Sequence, residues 1–237
     1  MFNEYLAMAK RAVFAGSEEV MKIYNEELVQ NTKSDGSVVT NADLNSHHAI
    51  IDVLSDFPVL SEEGDKTGRK SDTMWIVDPL DGTNDFLNKT GDFSIMIGLL
   101  RKGKPLLGVV YVPVREDLYV ASLGNGAYKN GKRIFTRRKG KVMLVSRNHF
   151  TDEEKRFGKR LGAETFTEMG SIGTKLCTIA EGEADYYVNL SDKLGVWDAC
   201  APHIILEEAR GVVTDKNGDA LVYKGERMKK GLIGRAR

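Results

Sequence analysis

The hydrophobic pattern at the start of the chain is helical. From Leu6 onward, apolar residues recur at three- and four-residue spacing among lysines and glutamates, which predicts one long amphipathic helix over residues 2–29. A polar loop is expected at 31–39. Thr40, with an acidic residue three positions later, has the spacing of a capping box and predicts a second helix that ends near Leu54.

After Pro58 the pattern changes to short apolar runs bounded by glycine, asparagine and aspartate, which is typical of strands and turns. The first run is of the buried-strand type, and it is expected to end at Asp78-Pro79. Strands are predicted at 74–77, 93–100, 106–112, 118–121 and 127–128. The turn signals between them indicate a mostly antiparallel meander.

A charged, glycine-containing segment at 136–141 is the predicted boundary between two lobes of one domain, residues 1–138 and 139–237. Beyond it, strands are predicted at 142–145, 165–168, 184–188 and 212–213, and helices at 152–161, 173–181 and 199–209. No further element is visible after 213. This mixture predicts a layered α/β (α+β) fold with mixed, largely antiparallel sheets.

Charge and cysteine content narrow the classes of partner. The 237 residues include 34 Lys+Arg and 34 Asp+Glu, a formal net charge of zero, which argues against a nucleic acid polymer but leaves room for a small anionic ligand. Cys177 and Cys200 are too few for a disulfide framework and are expected to be core thiols in a reducing compartment. The most apolar stretch, 105–114, is far shorter than the roughly 20 residues that span a bilayer. We therefore expect a cytoplasmic protein without membrane contact.

Carboxylates in four segments are the candidate chemistry. They are Asp43, Glu62-Glu63, the pair Asp78 and Asp81, and Asp198. The pair follows a predicted buried strand, and Asp81 is expected where a helix begins. Helix starts offer free N–H groups to a phosphate, and carboxylates that share Mg²⁺ with a phosphate are a common arrangement for its chemistry.

Structural interpretations of the same residues remain open at this point. Asp81 or Asp198 could be a helix N-cap, Asp43 a capping residue, and Glu62-Glu63 a solvated loop. Two residues separate Asp78 from Asp81, which disfavours the Asp-x-Asp arrangement of haloacid-dehalogenase-type phosphatases and their covalent aspartyl-phosphate route.

The segment Trp75–Phe86, preceded by Glu62-Glu63 and followed far downstream by Trp197-Asp198, resembles the inositol monophosphatase-like superfamily of Mg²⁺-dependent, lithium-sensitive phosphatases. The resemblance extends from about residue 5 to residue 223, with the motifs in the family's order. It implies a layered α-β-α-β-α sandwich of the sugar-phosphatase type.

Within this superfamily the chain is most similar to the 3'(2'),5'-bisphosphate nucleotidases. Residues 33–43, the Trp-Asp-Ala-Cys-Ala-Pro segment at 197–202 and the Ser-Arg-Asn-His segment at 146–149 carry that similarity. Ser191 stands where inositol monophosphatases often have a glutamate for the inositol hydroxyls, which weakens the inositol interpretation.

The resemblance implies a role for each matched residue. The metal ligands would be Glu62, Asp78, Asp81, Asp198 and the Leu80 carbonyl. Asp43 and Thr83 would orient and deprotonate the attacking water, with Glu62 also beside it. The amides of Gly82 and Thr83 would hold the scissile phosphate, and His149 and Lys175 would approach the remaining phosphate or the base. His47 and His48 lie outside every matched motif.

The implied activity is that of a phosphomonoester hydrolase. We expect it to use two or three Mg²⁺ ions, with Mn²⁺ as a substitute, and to remove the 3'-phosphate of 3'-phosphoadenosine 5'-phosphate to give AMP and phosphate. The partner would be a small phosphorylated metabolite, and the protein a monomer or homodimer. The alternatives are an inositol monophosphatase, a fructose-1,6-bisphosphatase, or a nucleotide-binding regulator without catalysis.

Overall fold

A computed structural model describes residues 2–25, 30–32, 38–64 and 71–237. Within these ranges the helices are α1 (Phe2–Tyr24), α2 (Asn41–Val53), α3 (Thr83–Leu87), α4 (Asp152–Leu161), α5 (Ile172–Ala180) and α6 (Val196–Glu208). The strands are β1 (Gln30–Thr32), β2 (Val38–Thr40), β3 (Val59–Ser61), β4 (Thr73–Asp81), β5 (Ser94–Arg101), β6 (Lys104–Val112), β7 (Asp117–Ser122), β8 (Gly126–Lys129), β9 (Lys132–Ile134), β10 (Val142–Ser146), β11 (Thr165–Met169), β12 (Tyr186–Asn189), β13 (Val212–Thr214) and β14 (Leu232–Arg235).

The first sheet has seven strands in the order β3-β4-β5-β6-β7-β8-β9. β3 is parallel to β4, and each later pair is antiparallel. Side chains alternate between its two faces: Trp75 and Val77 pack in the core formed with α1 and α2, whereas Met74 and Ile76 pack in the core formed with α5 and α6. The sheet is therefore covered by helices on both faces.

The second sheet has the order β11-β10-β12-β14-β13. β10 is parallel to both of its neighbours, and β14 is antiparallel to β12 and β13. One face shares the core of α5 and α6, and Phe157 and Leu161 of α4 pack on the other. The layers are therefore helices, sheet, helices, sheet and helix, which confirms the predicted fold class.

Local sequence signals explain the helix boundaries that were predicted well. Thr40 and Asp43 form the capping box of α2, with the Thr40 N–H donating to Asp43 Oδ2 over 2.8 Å. Thr151 and Glu154 form the same device at the start of α4. Both helices begin where the sequence predicted, because these caps satisfy N–H groups that the helix itself leaves free.

Several predicted boundaries were wrong. The long first helix ends at Tyr24, and 26–29 lie outside the described residues. The loop expected at 31–39 contains parts of two paired strands, since Gln30–Thr32 pairs with Val38–Thr40, while 33–37 are not described.

Strand β4 does not end at Asp78-Pro79. It continues to Asp81, and its pairing with β5 shifts register between Asp78 and Asp81. Proline has no N–H to donate to a strand partner, so a bulge at this point allows the strand to continue.

Three further strands were missed. β3 and β9 have three residues each and β14 has four, too few for a period to show. The predicted division at 138/139 remains a prediction; the seven-stranded sheet uses residues 59–134, and the five-stranded sheet uses 142–235. None of the described helices is long and apolar enough to cross a membrane.

Helix α6 lies unusually close to the first sheet. Gly98 and Gly108 are directly opposed on β5 and β6. A Cβ atom on Gly108 would lie 2.3 Å from the Ala201 carbonyl oxygen, and one on Gly98 would lie 2.6 Å from Cys200 Sγ. The absence of side chains at this pair therefore lets the first half of α6 rest on the sheet backbone.

Candidate active site

Three acids that are far apart in sequence meet beside the end of β4. Glu62 follows β3, Asp78 belongs to β4, and Asp198 lies in the first turn of α6. Each offers a carboxylate oxygen, and these three oxygens lie within 4.8 Å of one another. The carboxyl end of β3 is brought beside β4 by parallel pairing, and the close contact of α6 with the sheet brings the third acid to the same place.

Asp78 is the most strongly buried of the three, with 1% of the residue exposed. Its Oδ1 accepts a hydrogen bond from the Leu80 N–H at 3.1 Å, but its buried Oδ2 has no hydrogen-bond partner in the described part of the chain. Burial raises the pKa of Asp78 well above its ordinary value, and the charges of Glu62, Asp81 and Asp198 raise it further. A buried carboxylate oxygen without a donor is costly, and a cation would remove that cost.

Asp198 is fixed by its own helix. Its Oδ2 accepts from the Gly195 N–H at 2.6 Å. Burial raises the pKa of Asp198 well above its ordinary value, and the charges of Glu62 and Asp81 add to the shift, while the backbone hydrogen bond and Arg227 oppose it. The raised pKa values of Asp78 and Asp198 have the same two causes, burial first and repulsion by the neighbouring acids second.

Asp81 lies beside this cluster but is held differently. Its Oδ2 accepts from Ser171 Oγ at 2.5 Å and from the Gly173 N–H at 2.8 Å, at the start of α5. Burial raises the pKa of Asp81, against these hydrogen bonds and the nearby Lys175 charge. The expectation that Asp81 begins a helix was wrong, because α3 starts at Thr83 after Gly82, whose φ of +94° favours glycine.

Asp43 and Thr83 are adjacent. The Thr83 hydroxyl lies 3.2 Å from Asp43 Oδ1 and 3.4 Å from the Leu80 carbonyl oxygen. The other Asp43 oxygen, Oδ2, accepts from the N–H and the hydroxyl of Thr40 at 2.8 and 2.6 Å. Asp43 is 2% exposed, and burial raises its pKa despite the hydrogen bonds from Thr40. Its carboxylate is thus held rigidly, with one oxygen directed at Thr83.

A pocket of about 830 Å³ opens beside the acids. The acidic side of its lining includes Glu62, Asp81, Gly82 and Thr83. The rest includes His149, Lys175 and residues of β12 and the loop after it, among them Ser191. Pockets of this size hold drug-sized or metabolite-sized ligands. The pocket is therefore large enough to hold a small molecule next to the acidic cluster.

The two residues predicted to approach the remaining phosphate or the base, His149 and Lys175, differ in their surroundings. His149 is exposed at the pocket wall. Lys175 is 2% exposed, and its Nζ donates to the carbonyls of Met169, at 3.2 Å, and Gly170. Burial is the largest influence on Lys175 and lowers its pKa to about 8. The Lys175 ammonium thus lines the pocket while it is held by backbone carbonyls.

Sequence reasoning missed two residues that organise the pocket. Ser171 caps α5 through a hydrogen bond from the Thr174 N–H and also contacts Ser94 Oγ at 2.7 Å. Arg147, at the end of β10, pairs with Asp85 of α3 and, at 2.9 Å, with Asp92. Arg147 lies in the quoted Ser-Arg-Asn-His segment, but its partners are distant in sequence, so no local signal could identify them.

Comparison with known proteins gives a consistent result. The model of the inositol monophosphatase family matches residues 2–235. The 3'(2'),5'-bisphosphate nucleotidase CysQ of Escherichia coli K12 is 35% identical over 237 residues, covering 94% of each chain. The Nus factor SuhB of Pasteurella multocida is 34% identical over 233 residues, covering 91% of this chain and 86% of that protein.

A solved structure shows the same architecture. CysQ from Bacteroides thetaiotaomicron, described as a bacterial member of the inositol monophosphatase family, superposes with a TM-score of 0.85 at 31% identity. The match covers 99% of this chain and 98% of that one. Similarity in sequence and in structure therefore extends over nearly the whole length of both proteins.

Proposed function

The chain belongs to the inositol monophosphatase family and is a phosphatase of that family, and we propose that it is a metal-dependent 3'(2'),5'-bisphosphate nucleotidase. Its substrate would be 3'-phosphoadenosine 5'-phosphate, and its products AMP and phosphate. The observation that carries the proposal is the convergence of Glu62, Asp78 and Asp198 beside the pocket.

The donor set fits a hard divalent cation. Carboxylate and carbonyl oxygens are the ligands that Mg²⁺ prefers. Asp78 Oδ2, which has no hydrogen-bond partner among the described residues, could bind such an ion. We propose that Glu62, Asp78, Asp198, Asp81 and the Leu80 carbonyl hold two or three Mg²⁺ ions, with Mn²⁺ as a substitute. Such ions would neutralise charge on the phosphoryl group and stabilise the leaving oxygen.

The chain itself would supply binding and proton transfer. The N–H groups of Gly82 and Thr83 would hold the phosphate at the start of α3. Because the Thr83 hydroxyl can donate to Asp43 Oδ1, its oxygen is free to accept a proton from the attacking water, and the Thr83 proton would pass to Asp43. The carboxylate of Glu62, at the pocket wall, would orient the same water. The water oxygen would form a bond to phosphorus as the ester bond to the sugar oxygen breaks, and the sugar oxygen would take a proton from solvent to become the hydroxyl of AMP.

Two observations favour a nucleotide as the substrate: the similarity of the chain to CysQ and the residue at position 191. CysQ of Escherichia coli is named as a bisphosphate nucleotidase and is 35% identical. Ser191 lines the pocket and offers one hydroxyl where the related inositol enzymes often have a carboxylate. An uncharged residue there favours a substrate with a second negative group, for which His149 and Lys175 are the candidate contacts.

A substrate panel tests this assignment. We expect phosphate release from 3'-phosphoadenosine 5'-phosphate in Mg²⁺ and little in EDTA, with much slower release from inositol 1-phosphate and fructose 1,6-bisphosphate. A preference for one of the latter two would overturn the substrate assignment. Saturable nucleotide binding without any Mg²⁺-dependent release would instead support a binding protein.

The residue-level test is Asp81→Asn. We expect the variant to fold as the wild type does and to lose about 100-fold or more in turnover, since it removes a carboxylate that would hold the cations whose charge stabilises the transition state. Asp52→Asn, at an exposed position on α2, is the matched control and should retain full activity. Near-normal turnover in Asp81→Asn would contradict the metal-ligand assignment.

A further inference from the structure

Helix α2 directs three polar side chains at the segments that carry the candidate metal ligands. Asp43, Ser46 and His47 are spaced three and four residues apart, so they share one face of the helix. Asp43 contacts Thr83, as described above. Ser46 and His47 have no place in the mechanism proposed so far. Ser46 contacts strand β4, which carries Asp78, and His47 contacts strand β3, which precedes Glu62.

Ser46 contacts β4 between two of the proposed ligands. Its side chain is fully buried, and its Oγ donates to the Pro79 carbonyl oxygen at 2.8 Å. Pro79 joins Asp78 to Leu80, at the point where the β4–β5 register shifts. The opposite helix leaves space for this bond, because a Cβ atom on Gly16 of α1 would lie 2.7 Å from Ser46 Oγ.

His47 contacts β3 one residue before Glu62. Its Nδ1 and Ser61 Oγ share a hydrogen bond of 2.8 Å. Ser61 is buried, and its carbonyl accepts from the Gly64 N–H at 3.2 Å, which closes the turn that contains Glu62. A Cβ atom on Gly64 would come within 3.2 Å of the imidazole Cε1, so the turn packs tightly against the His47 ring.

These contacts oppose a specific physical tendency. Glu62 and Asp78 repel each other before a cation is bound, and repulsion favours separation of the ends of β3 and β4. The pairing between the two strands is short, from Val59–Trp75 to Ser61–Val77. A helix that binds the end of each strand through a side chain holds the spacing that the strand pairing alone would hold weakly.

We propose that Ser46 and His47 are positioning residues that set the distance between the Glu62 and Asp78 carboxylates, and thereby the affinity for the divalent cation. The inference rests on the proposed function, which supplies the ligand roles. Hydrogen bonds made directly to metal ligands commonly contribute 10- to 100-fold to affinity. Ser46 and His47 bond residues adjacent to the proposed ligands, so we expect an effect at the lower end of that range.

The test measures Mg²⁺ affinity directly, by titration calorimetry and by the Mg²⁺-induced rise in melting temperature. We expect His47→Leu to weaken binding about 10-fold. His47→Asn should restore most of the affinity, because its amide can replace Nδ1 toward Ser61. Ser46→Ala, a smaller change that is expected to fold, should also weaken binding. His48→Leu makes the same chemical change at the exposed neighbouring position and should bind as the wild type does.

The outcomes separate the inference from the function on which it rests. If His47→Leu and Ser46→Ala lower the melting temperature without metal but bind Mg²⁺ with unchanged affinity, their role is structural only and the inference is wrong. If Mg²⁺ does not bind even to the wild type, the proposed function fails and the inference fails with it. Equal weakening in His48→Leu and His47→Leu would also overturn the specific role of His47.

Discussion

Asp78 is the residue at which the acidic cluster is expected to lower the stability of the metal-free protein most. It combines burial, an oxygen without a donor among the described residues and three neighbouring acids. Removing its charge should relieve repulsion in the metal-free protein, and it should also remove a proposed ligand. The same substitution is thus expected to have opposite effects without and with metal.

We predict that Asp78→Asn is at least as stable as the wild type in EDTA at pH 8. In Mg²⁺ at about 100 times its dissociation constant, the wild type should gain about 2.7 kcal/mol, which is a rise of about 5–10 °C in melting temperature. Asp78→Asn should gain little. Calorimetry of both proteins in EDTA and in Mg²⁺ checks this, with Asp52→Asn as the control. A full Mg²⁺ shift in Asp78→Asn would contradict the proposed role of this carboxylate.

Glu207, at the opposite end of α6 from Asp198, gives a prediction about pH. Its Oε2 accepts from His203 Nε2 at 3.2 Å, and that hydrogen bond lowers the pKa of Glu207, with partial burial acting against it and Arg237 adding to it. The opposite His203 nitrogen, Nδ1, bonds Tyr223 at 2.8 Å. The folded state therefore binds a proton at Glu207 less readily than the unfolded chain does.

A carboxylate of lowered pKa contributes stability above its unfolded pKa, near 4.5, and that contribution is lost as the pH falls through the folded value. Wild type should accordingly be more stable than Glu207→Gln at pH 7, and the difference should shrink below about pH 4.5. Urea unfolding at pH 7 and pH 3.5 measures it. A difference that is the same at both values would show that packing, rather than charge, is responsible.

At the scale of elements, the position of α6 depends on the glycine pair beneath it. Gly108 faces Ala201, three residues after Asp198, so a side chain on Gly108 would push the acidic end of the helix away from the sheet. The same contact that packs the core thus also determines whether Asp198 reaches Asp78.

We predict that Gly108→Ala lowers the free energy of unfolding by about 1–3 kcal/mol through overpacking and also weakens Mg²⁺ binding. Val109→Ala is the matched control, because Val109 follows on the same strand but packs in the core of α1 and α2. It should lose stability without losing Mg²⁺ affinity, as measured by unfolding in urea and calorimetric titration. Unchanged affinity in Gly108→Ala would show that α6 keeps its place by other contacts.

Elements with a strong local signal could be predicted from sequence, and those that depend on partners could not. α2 and α4 begin at capping boxes that the sequence shows directly. β3 and β14 are short, and they are strands because of the neighbours with which they pair. The bulge between Asp78 and Asp81 depends on the register of β5, and for that reason the sequence placed the strand end too early.

At the scale of the whole molecule, the site joins parts that no local pattern connects. The acidic motifs in the sequence, taken in order, predicted which residues a phosphatase would use. Three of them, Glu62, Asp78 and Asp198, meet in the structure. The contacts that hold them in place are less visible in sequence. Each of them links distant segments through one or two polar contacts. Ser171 donates to Asp81, Arg147 pairs with Asp85, and Ser46 and His47 of α2 contact β4 and β3.

The place of β14 in the second sheet has a consequence for how the protein is made. β14 is translated after every other described element, yet it lies between β12 and β13 and pairs with both. While the chain is still emerging from the ribosome, those two strands therefore have open edges that can pair with other chains. Slow translation of the residues between β13 and β14 would therefore prolong the exposure of these two edges, until Leu232–Arg235 can pair with both.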